Sequence, residues 1–61
     1  MNREIAERYI GKIVRISMGE HNFVPPPGII TMVTEDNFLF ETTQKTSVLS
    51  LKDLREINPV V

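Results

Sequence analysis

The chain has 61 residues, enough for one domain at most, with 41% hydrophobic and 25% charged residues and a net charge of -1. That balance excludes a disordered chain and the strong basic field usual for nucleic-acid binding. The absence of cysteine and the single histidine exclude a disulfide framework, a thiolate metal site and a His-rich metal site, so no cofactor is expected. No stretch approaches the roughly 20 apolar residues that span a bilayer, and no signal-peptide pattern opens the chain, so the expected setting is cytoplasmic and off the membrane.

Residues 2–10 read as a short helix. Asn2 is a fit N-cap, and Glu4 puts negative charge in the first turn, where the helix dipole favours it. Ile5 and Tyr9, with Ala6 and Ile10 beside them, form its apolar stripe. Gly11 ends it. Residues 12–18 then switch to a period of two, with Val14, Ile16 and Met18 on one face and Ile13, Arg15 and Ser17 on the other. Residues 19–28 are a loop. Its three consecutive prolines each lack an N–H, which bars them from a sheet and favours a stiff polyproline II segment.

Residues 29–34 form a second strand, with Ile30, Met32 and Thr34 opposed to Ile29, Thr31 and Val33. Both faces are apolar, which predicts a central place. After the turn at Glu35, Asp36 and Asn37 comes a third strand over 38–43. A fourth follows over 46–51, with Val48 opposed to Leu49 and Leu51. Lys52, Asp53 and Leu54 read as one helical turn or a corner, and residues 55–61 as a fifth strand. Pro59 confines part of that strand to an edge or an end.

One helix and five short strands predict a mainly β fold: a strongly bent antiparallel sheet curled into a five-stranded partial barrel. A chain this short buries only about 60% of its unfolded surface. It has no disulfide or metal to compensate, and a partial barrel leaves edges that invite pairing. Self-association is therefore a physical expectation.

Catalytic chemistry has little support. No Ser-His-Asp order, phosphate loop or zinc spacing occurs, and His21 next to Glu20 reads as a solvated loop histidine. Glu35 and Asp36 sit at a turn, where acidic residues commonly serve the backbone. No enzymatic activity is expected. In the loop, Phe23 and Val24 ahead of Pro25 have two readings. Phe23 folds back to plug the open end of the barrel, which the small core favours, or it anchors a protein partner on a rigid segment.

The order of helix and strands resembles the Sm-like family, and the bacterial Hfq branch more than the eukaryotic one. The resemblance rests on Glu35-Asp36-Asn37-Phe38-Leu39-Phe40 at the second turn, on SVLSLKDLREINP over 47–59, and on Tyr9-Ile10-Gly11-Lys12-Ile13-Val14 at the junction of helix and first strand. It covers most of the chain outside residues 19–27. At the corner the chain departs from the Hfq branch, with Ser50, Leu51 and Lys52 where that branch has Tyr-Lys-His.

The resemblance implies a non-catalytic module that closes into a homo-oligomeric ring, the fourth strand of one copy joining the fifth of the next. Val48, Leu49, Ser50, Ile57 and Val60 are the interface candidates. It also implies weak binding of single-stranded RNA, with Phe38 stacking on a base, Asn37 beside it and Lys52 reaching a phosphate. Against this, Phe is ordinarily a buried residue and Phe40 shares its face, so the core is the favoured place for Phe38. The alternative function is an SH3-like adaptor, in a host or phage regulatory setting, that engages a protein partner through residues 23–27.

Overall fold

Asn2 caps the first helix as its residue type predicts: its side-chain oxygen accepts a 2.7 Å hydrogen bond from the Glu4 N–H. In the computed structural model, which describes residues 1–60, helix α1 spans Arg3–Glu7. It is shorter than the expected 2–10. Arg8, Tyr9 and Ile10 donate three residues back, to Ile5, Ala6 and Glu7, and tighten the chain into turns. Gly11 then takes a φ of +84°, and its N–H donates to the Ile30 carbonyl. The stripe is narrower too. Ala6 is buried and Tyr9 half-buried, while Ile5 and Ile10 remain exposed.

Five antiparallel strands follow: β1 (Ile13–Met18), β2 (Gly28–Val33), β3 (Asn37–Glu41), β4 (Thr46–Ser50) and β5 (Leu54–Pro59). Their boundaries differ by one or two residues from those expected, and Val61, placed in the fifth strand by its sequence, lies outside the described residues. One sheet holds all five in the order β4-β3-β2-β1-β5. The fold class is the one expected, a bent antiparallel sheet that stays open. β2 is central and β4 and β5 are the edges.

Val14, Ile16 and Met18 are buried along β1, as their alternation predicts. On β2 the alternation breaks. Ile30 faces Phe40 and Met32 faces Leu39, which leaves Thr31 as an extra residue. This bulge returns Val33 to the buried side opposite Phe38 and turns Met32 and Thr34 out, reversing the expected second half of the strand. A second irregularity between Ser17 and Met18 leaves Arg55 unmatched on β5 and lets Leu54 point inward. Bulges bend a ladder, and these two supply the curl of a sheet whose core is led by Phe38, Phe40, Ile16, Ile30 and Val14.

Two threonines close the short hairpins. The Thr34 N–H donates to the Asn37 carbonyl and the Thr42 N–H to the Lys45 carbonyl. Their hydroxyls bond the same loops, accepting from the Asn37 and Lys45 N–H groups. Between β4 and β5, Leu51–Asp53 form one 3-10 turn, capped by the Ser50 hydroxyl accepting from the Lys52 N–H at 3.2 Å. Leu51 and Leu54 drive into the core on either side of it.

Candidate functional site

The surface features fall into two edges, a polar cleft and an apolar groove. The edges follow from hydrogen-bond parity. In an antiparallel ladder, bonded rungs alternate with unbonded ones, and residues on unbonded rungs aim their N–H and C=O away. Thr42 N–H bonds Lys45 O, and Leu51 N–H bonds Asp36 O, at 2.9 Å each. Within the β3–β4 register, Ser47 and Leu49 therefore turn their main-chain groups toward β3, while Thr46, Val48 and Ser50 present theirs outward. At the other edge, Val60 N–H bonds Ile13 O at 3.0 Å. Asn58 and Glu56 then bond β1, and Ile57 and Pro59 face outward. Pro59 has a carbonyl to offer and no N–H.

Side chains add to this pattern. Val48 is 68% exposed on the outer face of β4. Ile57 is half-buried on the inner face of β5, opposite Ile16. Leu49 is half-buried on the inner face of β4, and the Ser50 side chain serves the corner cap while its main-chain groups face outward. Val60 lies just beyond β5, held by Ile13.

The polar cleft, about 520 Å³, opens where β3 begins and β4 ends, lined by Glu35, Asp36, Asn37, Ser50, Lys52 and Met1. Two of the residues assigned to RNA by resemblance, Asn37 and Lys52, meet here. The third does not: Phe38 is fully buried against Val33 and cannot stack on a base, which corrects that assignment. Its ring faces inward with that of Phe40, two residues along the same face of β3. The terminal amine of Met1 donates to the Leu51 carbonyl at 2.6 Å, a contact that no motif in the sequence announces. Glu35 and Asp36 line the same cleft as Lys52 and the Met1 amine, so the cleft offers no excess of positive charge to a phosphate.

The apolar groove, about 300 Å³, lies at the open seam between the 23–26 segment and the β3–β4 hairpin. Phe23 is 66% exposed, so it does not plug the barrel. Instead Met18 and Phe23 exchange main-chain hydrogen bonds of 2.7 and 2.8 Å, which hold Phe23 out on the rim. Val24 is also exposed and Pro25 half-buried in the wall. His21 is exposed in the turn over 19–22, where Gly19 and Asn22 have positive φ. Among the described residues no cluster of His, Asp or Glu could hold a metal ion, and no helix is long and apolar enough to cross a membrane. Searches against protein-family models, curated proteins and solved structures found no match to this chain.

Proposed function

We propose that the chain is a non-catalytic, Sm-like interaction module that assembles head-to-tail into a ring, β4 of one copy pairing with β5 of the next. The observation that carries this reading is the fit between the two free edges. Antiparallel pairing with Val48 opposite Ile57 of the next copy lets those two residues exchange both main-chain bonds. It also sets the Thr46 N–H against the Pro59 carbonyl. The proline, which has no N–H to give, then falls at the end of the ladder, where its missing donor costs least. At this joint the outer face of β4 runs on into the inner face of β5 of the next copy, so Val48 and Ile57 lie side by side and an exposed valine gains an apolar neighbour. A contact between two different edges is heterologous, so it closes into a ring if the rotation allows.

The test is native mass spectrometry and light scattering across dilution, with Val48→Lys as the comparison, since an edge lysine opposes strand addition. The expected result is a closed oligomer for the native chain and a folded, smaller species for the variant. A native chain that stays monomeric at micromolar concentration overturns the reading. RNA binding has weaker support, because the stacking ring is in the core and the cleft has no excess of positive charge. Flat anisotropy of labelled U-rich and A-rich oligomers at low salt is the expected outcome. The adaptor reading draws on exposed Phe23 and Val24. Under it, Phe23→Ser loses a partner protein while the oligomeric state is unchanged.

A further inference from the structure

We infer that the apolar groove beside Phe23 is the seat for Ile13 and Val60 of the next copy, an interlock that adds to the strand pairing; this rests on the ring reading above. With Val48 opposite Ile57, Ser47 lies opposite Asn58, and a ladder that continues past Thr46 and Pro59 sets Lys45 opposite Val60 of the next copy. Residues on one rung share a face. Ser47 and Leu49 point to the inner face of β4 and, with Lys45 just before the strand, line the groove. Val60 of the next copy therefore enters from the groove's own side. It does not come alone, because its N–H is bonded to Ile13 on the adjacent strand.

Ile13 and Val60 are 55% and 41% exposed, an adjacent apolar pair on the outer face of their own sheet. The groove that would receive them is built in advance. Phe40 and Leu49 form its floor, and the Pro25–Pro26 wall is stiff. The Met18–Phe23 main-chain bonds fix Phe23 at the rim, so little ordering is left to do on docking. The Lys45 stem can lie over the valine with its ammonium in water. This gives one occupant for the exposed rim residues that the loop presents.

The chain has no cysteine, so introduced thiols report cleanly. Lys45→Cys and Val60→Cys chains are mixed and oxidised, with Val48→Cys and Ile57→Cys chains as a second mixture. The 45–60 rung is an unbonded one with Cα atoms about 4.5 Å apart, inside the range a disulfide spans. The expected result is a cross-linked heterodimer as the dominant oxidised species in both mixtures, read by intact mass. Cross-linking at 48–57 without 45–60 overturns the interlock and leaves the strand pairing standing. Cross-linking in neither mixture overturns both.

Discussion

Replacing Gly28 by alanine probes the closest backbone approach in the sheet. Gly28 opens β2, opposite Val14 on one side and beneath the Glu41 main chain on the other. A Cβ placed there overlaps the Glu41 carbonyl oxygen and comes within 2.9 Å of Phe40 Cζ. The Phe40 ring is buried and has nowhere to swing, and the Glu41 carbonyl moves only if the Ile29–Glu41 rung opens. Alanine reduces the entropy of the unfolded chain, a gain of about 0.4–1 kcal/mol. Overpacking costs about 1–3 kcal/mol, and a disturbed rung adds about 1 kcal/mol. The clash wins, with a net loss of about 1–3 kcal/mol. A domain this size has roughly 3–9 kcal/mol in all, at about 0.05–0.15 kcal/mol per residue. At about 4–8 °C per kcal/mol, the melting midpoint falls by roughly 5–20 °C. Circular dichroism during heating and in urea reads the change, at one protein concentration because assembly also shifts the midpoint. Gly11→Ala is the control. Gly11 has φ +84° and no atom within 4 Å of a built Cβ, so its cost is conformational and Gly11→Asn recovers part of it. Gly28→Ala melting at or above the native midpoint refutes the steric account.

Phe38→Ala, which empties a fully buried aromatic site, costs about 3–5 kcal/mol and takes most of the domain's stability. Chemical denaturation checks this, and a variant that unfolds near the native midpoint returns Phe38 to the surface. Ser17→Ala acts in the opposite direction. The Ser17 hydroxyl is buried and finds no hydrogen-bond partner, so removing it relieves about 1 kcal/mol and raises the midpoint by roughly 4–8 °C. A lower midpoint would mean that this hydroxyl is satisfied in solution.

Elements were legible where the local signal is periodic. Val14, Ile16 and Met18 alternate without interruption, and the structure buries all three. Asn2 and Gly11 mark the ends of the first turn segment by residue type alone. The misreading of β2 has one cause, which is that a bulge leaves no trace in composition. Thr31 is an ordinary strand residue by propensity. Its role as an extra residue appears only when β2 is laid against β3, and it decides which of Met32 and Val33 is buried. Phe23 failed for a related reason: whether a loop aromatic folds inward depends on the Met18–Phe23 pairing, a contact between a strand end and a loop. The edges were legible from strand number, but the parity of their free N–H and C=O groups was not. Parity needs two bonded rungs, Thr42–Lys45 and Ile13–Val60, and neither has a sequence signature.

β4 and β5 are consecutive in sequence, joined by a three-residue turn, yet they stand at opposite edges of the sheet. The reason lies in Leu51–Asp53. Leu51 and Leu54 are both buried, so the corner is pinned to the core and carries the chain across the sheet. A hairpin there would pair β4 with β5, end the sheet at β1, and leave Leu51 at a solvent-exposed turn. The small core therefore decides the topology: it recruits the corner leucines, and the cost is two strands with one unbonded side each. Those sides differ, since one offers donors and acceptors at Thr46, Val48 and Ser50 and the other ends in a proline that can only accept. In the proposed ring the step from one edge to the other is repeated, and the shortage of core that opens the sheet is what leaves both edges free.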